Sequence, residues 1–565
     1  MRKLVPAILL LFALSCGKDN PPAGEEQGGG TVPDTTQETI NGTKILSGNN
    51  RVGLVTDSST GKGIPGVPVT DGYKYTLTDA NGVYQFAAHE DARCVYLSLP
   101  RAYEIPLAKD GEPLFWKTGA YRNDFSLTPR AEDWTEYSVL AFTDVHFYDK
   151  GASSTVETER YNARTLKDIN ACVSALDKVI ILNTGDLVTN VTEKLASSRA
   201  EFAKIKKGGV TVPMFPTIGN HDFNNAFSST LACSEDWFKV YGPLDYSVNI
   251  GKTHIVCLND VQFSYNNDGG YGKAIGFEKG LTDAQWAWLQ ADLNTVSDKA
   301  GTLLLICVHC PVFANDFAHA GDIRNLLRTF GESHIFSGHN HYNVHRQFAD
   351  TWKGLSGRLS EEHNMAPLGG LWRSSLGNDG SPNGYHEFRI NGNAIVRQTF
   401  KAVGSEDASY QFRIYDGGAS YHAPVSGKYD CADADGKLYF DWKTLLEGSE
   451  GVDPTDKILV RVFDAGTRGL NCNVYYNKDG VRYKMTHLAN AHRDQCTFSY
   501  FWNGGVSLNS AYAAAYNGGK TQGFWYYDAS PSGEGWKVEV EFKEAGGSRW
   551  YESSTIQKDY TGFAW

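Results

Sequence analysis

The sequence predicts a multidomain protein in which a central α/β unit lies between two all-β units. Its 565 residues suggest three or four domains of about 150 residues each. Between residues 133 and 403, apolar runs rich in β-branched residues alternate with amphipathic segments, which is typical of an α/β core. On either side, short alternating runs separated by Gly- and Asn-rich turns favour β-sandwiches.

The first 45 residues predict a lipoprotein signal followed by a tether. Two basic residues precede an apolar run, residues 4–14, which is too short to span a bilayer. The run ends at Ala-Leu-Ser-Cys, which resembles a bacterial lipoprotein signal with a signal peptide at residues 1–15 and lipidation at Cys16. Residues 16–45 are rich in Gly, Pro and Thr and predict a flexible linker. We therefore expect an exported protein of a Gram-negative-type bacterium, anchored to a membrane in the periplasm or at the outer membrane or cell surface.

Residues 46–132 predict a small β-sandwich. Short alternating runs are separated by turns, and the Asp-Ala-Asn-Gly step at residues 79–82 predicts a hairpin between the runs on either side. The pattern resembles the carboxypeptidase regulatory-like class. No nucleophile is paired with a base in this segment, so we expect it to act as a spacer or docking module.

Residues 133–403 carry the α/β pattern. Apolar runs of the kind that form buried strands alternate with helix-like segments. One of these segments, residues 281–293, begins after a threonine cap. Its spacing predicts that Trp286 and Leu289 share one face of the helix and that Leu293 continues this face.

Residues 404–565 return to short strands and turns and predict a β-rich accessory domain, which we interpret as a second sandwich. Fifteen of the 30 tyrosines lie here. Tyrosine is favoured in strands, so the fold alone accounts for them, and a glycan-binding surface is the second interpretation. Nine cysteines remain beyond Cys16, an odd number without the spacing of a disulfide framework. Cys431, Cys472 and Cys496 are candidates for pairing in an oxidising compartment.

Composition and charge exclude several classes of protein. A chain that is 41% hydrophobic and 21% charged can bury large cores, which excludes a wholly disordered protein. The formal net charge of −12 leaves no global basic field, so nucleic acid is not an expected partner. Beyond the signal, no segment approaches 18 uninterrupted apolar residues, so we expect no spanning helix in the mature chain.

Five short polar blocks follow five apolar runs of the central unit. They are Asp144-Val145-His146, Gly185-Asp186, Gly219-Asn220-His221-Asp222, His309 and Gly338-His339-Asn340-His341. Each block lies where a buried strand is expected to end, and ligands bind at the carboxyl ends of strands in open α/β sheets. We therefore expect all five blocks to meet in one cleft.

These blocks offer a set of seven side chains that can bind metals through oxygen or nitrogen atoms, namely two Asp, one Asn and four His. Seven such ligands are too many for one tetrahedral zinc ion and fit two ions that share a carboxylate. Mn, Fe, Zn, Co and Ni suit this set, whereas copper(I) and iron–sulfur clusters do not. Two cations about 3.5–4 Å apart hold the attacking and leaving oxygens of a phosphoryl displacement. The pattern therefore predicts hydrolysis of phosphoric esters with two divalent cations.

Taken in this order, the blocks resemble the calcineurin-like metallophosphoesterase family over about 265 residues. The resemblance implies two packed β-sheets flanked by helices. It implies one ion held by Asp144, His146, Asp186 and His341. It implies a second ion held by Asp186, Asn220, His309 and His339, with Asp186 and a hydroxide as bridges. It also implies that His221 is not a ligand but contacts the phosphate and assists the leaving oxygen, so the catalytic residues would be Asp186, Asn220 and His221.

Two departures from better-known branches of the family narrow the expected substrate. Protein serine/threonine phosphatases carry an arginine where this chain has Asn190, which disfavours a phosphoprotein substrate. Purple acid phosphatases carry a tyrosine ligand where this chain has Thr189, which disfavours that branch. Near the substrate we expect Asn224, Arg164 and Tyr271.

The resulting prediction is a phosphomonoesterase that acts on a small phosphate or on a lipid- or sugar-linked phosphate. The first alternative is a phosphodiesterase or nucleotide pyrophosphatase with the same site. The second alternative is a surface glycan-binding lipoprotein whose phosphoesterase domain is inactive.

Overall fold

The computed structural model describes residues 38–147, 156–224, 226–227, 229–265, 274–314, 316–347, 360–369, 376–405, 410–426, 437–466, 471–494, 520–544 and 547–557. Several sequence predictions fall outside these residues. They are the signal peptide, the lipidation of Cys16, the linker up to residue 37, the substrate contact of Tyr271 and any pairing of Cys431 or Cys496.

The N-terminal unit consists of two small sheets that bury a shared core. The first sheet has the strand order Val83–Phe86, Arg51–Asp57, Phe125–Leu127. The second sheet has the order Tyr75–Leu77, Pro68–Thr70, Cys94–Leu97, Trp116–Thr118. A short hairpin precedes both sheets and consists of Thr39–Ile40 and Thr43–Lys44.

The turn at residues 79–82 forms, but the predicted hairpin around it is wrong. Gly82 has a φ of 79°, a backbone conformation that glycine adopts without steric cost. The strand before the turn pairs with Pro68–Thr70, whereas the strand after it pairs with Arg51–Asp57 in the other sheet. The turn therefore crosses between the two sheets, because each flanking strand has its partner elsewhere in the sandwich.

Two larger sheets form the central unit, in agreement with the predicted fold class. The five-stranded sheet has the order Met214–Pro216, Val179–Asn183, Glu136–Phe142, Gly384–Asn391, Ala394–Ala402. The six-stranded sheet has the order Tyr246–Ile250, Thr253–Cys257, Leu303–Cys307, Glu332–Ser337, Ser360–Asn364, Val344–Gln347. In each sheet the strands that precede the polar blocks pair in parallel, so they end at a common edge.

Helices and smaller strand pairs surround these sheets. The helices are Val156–Arg160, Leu166–Ala175, Leu195–Phe202, Thr230–Cys233, Glu235–Tyr241, Asp283–Asn294 and Ala320–Leu327, with a π-helical turn at Tyr161–Thr165 and a 3₁₀ turn at Thr192–Lys194. The smaller strands are Lys206–Lys207 with Val210–Thr211, and Val261–Tyr265 with Ala274–Gly280 and Phe317–Ala318. Within the described ranges, no helix is both long enough and apolar enough to cross a membrane.

The helix Asp283–Asn294 begins as predicted, and all three residues of its predicted face pack against the core. The Thr282 hydroxyl accepts from the Gln285 backbone N–H, and the Gln285 side chain reaches back to the cap, which forms a capping box. Leu289 and Leu293 are buried as expected, and the buried aromatic residue is Trp288. Trp286 is only partly buried and stacks on His319. Its position is three residues before Leu289, on the edge of the buried stripe.

The C-terminal unit contains two four-stranded sheets that share a core of their own. One has the order Phe412–Asp416, Ile458–Val462, Phe524–Tyr527, Thr486–His487. The other has the order Val481–Lys484, Cys472–Lys478, Trp536–Glu544, Gly547–Ser553. The remaining elements are two strand pairs, Ser420–Ser426 with Lys437–Asp441 and His492–Arg493 with Lys520–Thr521, and the helix Trp442–Glu450. Cys472 is buried and is a free thiol.

The N-terminal sandwich and the central unit share one continuous hydrophobic core, and a buried carboxylate links them. Asp292 Oδ1 accepts from the Tyr75 hydroxyl and the Ser247 hydroxyl, each at 2.6 Å. Asp292 Oδ2 lies 2.8 Å from His254 Nε2. Tyr75 belongs to the sandwich and the other three residues to the central unit, so this hub fixes the two units to each other.

The hub predicts a graded loss of stability. Asp292→Ala leaves three buried polar groups without their common partner and is expected to lower the free energy of unfolding by about 3 kcal/mol or more. Tyr75→Phe removes one of the three hydrogen bonds and is expected to cost about 1 kcal/mol. Denaturant unfolding of the full chain measures both values. Equal losses in the two variants would contradict the role of Asp292 as a hub.

Candidate metal centre

The five polar blocks lie at five strand ends. Asp144 and His146 follow Glu136–Phe142, Asp186 follows Val179–Asn183, and the block with Asn220 and His221 follows Met214–Pro216 in the five-stranded sheet. His309 follows Leu303–Cys307, and the block with His339 and His341 follows Glu332–Ser337 in the six-stranded sheet. The loops from the two sheets meet, so the seven predicted ligands lie in one cluster.

The first group of ligands consists of Asp144, His146 and His341, all buried. Asp144 Oδ1 lies 3.2 Å from His341 Nε2 and 3.6 Å from His146 Nε2. The two Nε2 atoms lie 3.1 Å from each other. One carboxylate oxygen and two ring nitrogens thus point at a common space.

The second group consists of Asp186, His309 and His339, with Asn220 beside them. Asp186 Oδ2 lies 3.2 Å from His309 Nε2. Asn220 Oδ1 lies 3.0 Å from His309 Nε2 and 2.9 Å from His339 Nδ1. Asn220 and His339 are only partly buried, so the cluster opens to solvent on this side.

The Asp186 carboxylate lies between the two groups. Its Oδ2 atom is 3.8 Å from His146 Nε2 of the first group and 3.2 Å from His309 Nε2 of the second. Its Oδ1 atom accepts from the His221 backbone N–H at 2.8 Å. This position is the one that a ligand shared by two cations would occupy.

Hydrogen bonds set the ring nitrogens that face the cluster. His309 Nδ1 lies 2.8 Å from the Thr184 carbonyl oxygen, which can only accept, so Nδ1 carries the proton and Nε2 presents a lone pair. His146 Nδ1 lies 3.0 Å from the Thr189 hydroxyl, which can accept a hydrogen bond from it, and Nε2 faces the cluster. A hydrogen bond that fixes the outer nitrogen is typical of histidines that bind metals.

The cluster fits divalent cations on electrostatic grounds. Asp144 Oδ1 is buried and has no hydrogen-bond partner in the described structure, although it faces two imidazole nitrogens. Oxygen and nitrogen lone pairs also face one another around Asp186 and Asn220. Such an arrangement is favourable only when positive charge lies among the atoms, and the ligand types suit Mn, Fe, Zn, Co or Ni.

Burial and charge shift the pKa values within the cluster. Burial lowers the pKa of His146 to about 4 and that of His339 to about 3, so both rings are neutral near pH 7, which is the form that binds a metal. Burial also opposes protonation of His309, but the nearby Asp186 carboxylate outweighs it and raises the pKa of His309 to about 10. The pKa of Asp186 stays below its usual range because His309 offsets the effect of burial. A proton and a cation therefore compete for the space between His309 and Asp186.

The loops that carry the ligands have an uncommon backbone conformation. Asp144, His146, Asp186, His339 and His341 all have φ values between 51° and 67°. Residues other than glycine rarely adopt this left-handed region, and they keep it only where the surroundings enforce it. The apolar runs of the sequence predicted where the strands end, but they carry no signal for this conformation.

Glycines allow these loops to approach one another. A Cβ atom on Gly219 would overlap Asp186, and one on Gly338 would overlap Thr143. Gly185 combines a φ of 97° with a backbone contact to Gly219, so both its conformation and its surroundings require glycine. In the three blocks that contain a glycine, that residue is therefore needed for the close contact between ligand loops.

Two carboxylates support the cluster from behind. Asp222 accepts from the backbone N–H groups of Val188 and Gly219 at 3.0 and 2.9 Å and so joins two ligand loops. Asp260 accepts from the backbone N–H groups of His309 and Cys310 at 3.0 and 2.7 Å. The sequence analysis missed Asp260, although it follows a further apolar strand, and that position was a usable signal.

His221 lies beside the cluster and outside both ligand groups. Its ring is partly buried, with the centroid 5.4 Å from that of His146. Its Nδ1 atom lies 3.0 Å from the Asn190 side-chain oxygen, so Nδ1 donates and Nε2 remains for another partner. The shared carboxylate of Asp186 holds its backbone N–H. His221 is thus oriented by two contacts, and no side chain within the described ranges is hydrogen-bonded to its Nε2 atom.

The residues predicted to contact substrate lie in different surroundings. The Asn224 side chain donates to Asp236 at 2.9 Å and accepts from the Ala226 backbone N–H at 3.2 Å, so it organises its own loop. Arg164 lies against Gly404 at the end of the five-stranded sheet, where a Cβ on Gly404 would overlap its guanidinium group. Tyr271 lies outside the described residues.

An aromatic wall borders the open side of the cluster. The ring of Phe277 meets His339 edge-on with centroids 5.7 Å apart. Phe263 lies behind it at 6.1 Å, and Phe223 lies 5.0 Å from Phe263. Phe277 is only partly buried, so part of this wall faces the space next to the ligands. The sequence analysis did not single out these three residues.

Because the Thr189 hydroxyl contacts His146, we expect its removal to change the affinity of the cluster for metal ions. Thr189→Val removes the hydrogen-bond partner of His146 Nδ1 with little change in volume and is expected to weaken metal binding by about 10- to 100-fold. Competition with a fluorescent chelator measures this change. Thr302→Val is the matched control, because its hydroxyl donates to a carbonyl at the opposite end of a central strand. Equal affinity in the wild type and Thr189→Val would contradict the proposed orientation of His146.

Comparison with known proteins agrees with this geometry. Residues 49–130 match the family model for the N terminal of calcineurin-like phosphoesterase. Residues 137–343 match the family model for calcineurin-like phosphoesterase. The second match contains all seven predicted ligands, and its limits lie within the central unit.

Single proteins show more limited similarity. The serine/threonine-protein phosphatase CPPED1 of Mus musculus is 28% identical over 144 residues, which is 24% of this chain and 43% of that protein. The chain thus aligns with less than half the length of this curated relative.

Two solved structures are similar to about half of the chain. A 5'-nucleotidase from Candida albicans SC5314 has a TM-score of 0.30 and 13% identity, with 50% of this chain and 54% of that chain covered. The NAD nucleotidase NadN from Haemophilus influenzae has a TM-score of 0.24 and 15% identity, with 47% and 49% covered. Similarities with TM-scores this low do not indicate a function for this chain. By the two family matches, residues 49–130 and 137–343 belong to the calcineurin-like phosphoesterase family, the first as its N-terminal domain and the second as the phosphoesterase domain itself.

Proposed function

We propose that this protein hydrolyses phosphate monoesters with the help of two divalent cations. One cation would be held by Asp144, His146, Asp186 and His341. The other would be held by Asp186, Asn220, His309 and His339. The observation that carries this proposal is the position of the Asp186 carboxylate between two groups of ligands.

The cations and the side chains would divide the chemistry. Bound divalent cations neutralise the phosphate oxygens and lower the pKa of water toward about 7, which provides a nucleophile at neutral pH. His221 would act as an imidazolium, in which Nδ1–H donates to the Asn190 side-chain oxygen while the proton on Nε2 passes to the leaving oxygen and leaves a neutral ring. Because the His221 backbone is held by Asp186, its ring keeps a fixed place relative to both ligand groups.

The local charge favours a phosphate dianion. Two dications carry a total charge of +4, and the carboxylates of Asp144 and Asp186 contribute a charge of −2. The centre is therefore positive in a chain whose net charge is −12. A phosphate monoester brings two negative charges to this site, and a diester brings one.

The surroundings favour a small organic phosphate over a phosphoprotein. The partly buried face of Phe277 lies next to His339 and offers an apolar surface to the body of a sugar, lipid or nucleoside phosphate. Asn190 stands where protein serine/threonine phosphatases have an arginine, and its side chain is engaged with His221. We therefore do not propose a phosphoprotein substrate for this chain, although the similar protein CPPED1 is named a serine/threonine-protein phosphatase.

A phosphate-release screen with added Mn, Zn, Fe or Co tests the proposal. We expect turnover of sugar, inositol, nucleotide or lipid head-group monoesters, and much slower turnover of matched diesters. Faster cleavage of a diester or of a dinucleotide pyrophosphate would replace the proposal with the alternative activity. The absence of hydrolysis of any ester by metal-loaded protein would overturn it.

Two variants separate metal binding from proton transfer. Asn220→Ala is expected to lower the bound metal and abolish turnover, because Asn220 Oδ1 is a ligand in the proposal. His221→Ala is expected to keep its metal and to lose about 10²- to 10⁴-fold in kcat, the usual range for acid–base catalysis. His319→Ala, a histidine held by Asp283 and Asp322, serves as the control and should retain both. A normal rate in His221→Ala would remove His221 from the mechanism.

A further inference from the structure

Two buried arginines of the C-terminal unit reach a turn of the central unit, residues 376–383. Arg413 and Arg461 lie directly opposite each other on two paired strands, and their relative exposure is 2% and 0%. Like charges in this position are destabilising, and burial adds to the cost unless each charge is paired. Arg413 lies 3.6 Å from Asp494 of its own unit, whereas the carboxylate beside Arg461 belongs to the central unit.

The two arginines hold three successive residues of the turn. Arg461 Nη2 donates to Asp379 Oδ2 at 2.7 Å and to the Ser381 hydroxyl at 3.1 Å. Arg413 donates to the Gly380 carbonyl oxygen. Asp379 has a relative exposure of 0%, so its ion pair with Arg461 is removed from solvent and is only weakly screened by salt. The position of the turn is therefore set from the C-terminal unit.

The same turn holds the backbone of the loop that carries His341. The Asn378 backbone N–H donates to the His341 carbonyl oxygen at 2.8 Å. The Asn378 side-chain amide donates to the Asn340 carbonyl oxygen at 2.9 Å. Asp379 Oδ2 accepts from the Asn343 backbone N–H at 3.2 Å. Three hydrogen bonds therefore fix the loop before, at and after the ligand.

His341 has a backbone conformation that needs such support. Its φ of 57° lies in the left-handed region, which residues other than glycine keep only where their surroundings enforce it. A Cβ atom on Gly377 would overlap the His341 carbonyl oxygen, so the turn and the loop are in close contact. A displacement of this backbone would carry His341 Nε2 away from Asp144 Oδ1, which now lies 3.2 Å from it.

We infer that Arg461 is a positioning residue of the metal centre, although it lies in the C-terminal unit. One oxygen atom, Asp379 Oδ2, accepts both from Arg461 and from the Asn343 backbone N–H, and so connects the arginine to the ligand loop. This inference rests on the proposed role of His341 as a ligand of one of the two cations. It gives the C-terminal unit a part in holding that cation.

The competing explanation is that Arg461 only joins the two units. A buried ion pair is a costly way to do so, because an apolar contact of similar size would join them at lower cost. Arg549 provides the comparison, since its guanidinium group donates to the Gln398 carbonyl oxygen at 2.6 Å and contacts the Thr399 hydroxyl. It therefore also connects the two units, but through a strand that none of the five polar blocks follows.

Metal affinity separates the two explanations. Zn²⁺ is titrated into the full chain in competition with a fluorescent chelator. Arg461→Met is expected to weaken the binding of one of the two ions by about 10- to 100-fold, the usual effect of losing a contact that orients a ligand. Arg461→Lys keeps a positive charge beside Asp379 and is expected to recover part of this loss. Arg549→Met is expected to leave both affinities unchanged. Equal affinities in the wild type and Arg461→Met would overturn the inference.

A double-mutant cycle shows whether Arg461 acts through His341. His341→Ala removes the ligand itself. Adding Arg461→Met to this variant is expected to cause no further loss of zinc affinity, because the two substitutions then remove the same interaction. Additive losses would mean that Arg461→Met disturbs the cluster by another path, and would contradict the positioning role.

Hydrogen exchange provides a readout that needs neither metal nor substrate. The backbone N–H groups of Asn343 and Asn378 donate within this network. In metal-free protein, peptides that span residues 338–345 are expected to exchange faster in Arg461→Met than in the wild type or in Arg549→Met. Unchanged exchange would overturn the inference. Failure of the proposed function has a different signature, which is a wild type that binds no zinc and hydrolyses no ester.

A milder variant covers the case in which Arg461→Met does not fold. The Ser381 hydroxyl donates to Asp379 Oδ2 at 2.8 Å and accepts from Arg461 at 3.1 Å. Ser381→Ala removes both contacts and keeps the ion pair. It is expected to show the same faster exchange at residues 338–345 and the same weaker binding of one zinc ion, each to a smaller extent. Wild-type exchange and affinity in Ser381→Ala would then count against the inference.

Discussion

The arrangement of the centre depends on one shared carboxylate. Asp186 places one oxygen between His146 and His309 and uses the other to hold the backbone of His221. Backbone hydrogen bonds then tie the neighbouring loop to it, because Asp144 N–H donates to Gly185 and His146 N–H donates to Asp186, both at 3.0 Å. The strained conformations of the ligand loops persist because each loop is fixed by the next. The ligand geometry and the position of His221 therefore depend on the same residue.

Much of the fold and of the centre could be predicted, because the relevant signals are local. Apolar runs show where buried strands end, and polar residues at those ends converge when the strands are parallel. The crossing turn at residues 79–82 and the partial exposure of Trp286 could not be predicted in this way. Strand partners and the exact buried stripe of a helix depend on residues far apart in the chain. The positions of Asp222 and Asp260 after apolar strands are visible in the sequence, but the backbone N–H groups that they accept from are not.

Four buried histidines near the C-terminal unit show a different limit of sequence analysis. The predicted ligands follow strand ends, whereas His334, His345, His363 and His386 lie within strands. From the sequence alone, a histidine in the middle of an apolar strand is interpreted as an isolated core residue. Only the pairing of three strands puts His334, His363 and His345 in line, and only the fold of the C-terminal unit brings Asp464 to them. The significance of such residues comes from long-range contacts.

Because of the buried hydrogen bonds of Asp292, the N-terminal sandwich cannot be treated as a domain separate from the central unit. The composition of the sequence changes near residue 132, yet the core and the buried hydrogen bonds continue across that point. A fragment that starts at residue 133 would expose the apolar surface under the sandwich and would leave Ser247 without Ser98 and Asp292 without Tyr75. The cooperative unit is therefore the sandwich together with the central sheets. A catalytic fragment made for biochemical work has to begin before the first strand of that sandwich, Arg51–Asp57.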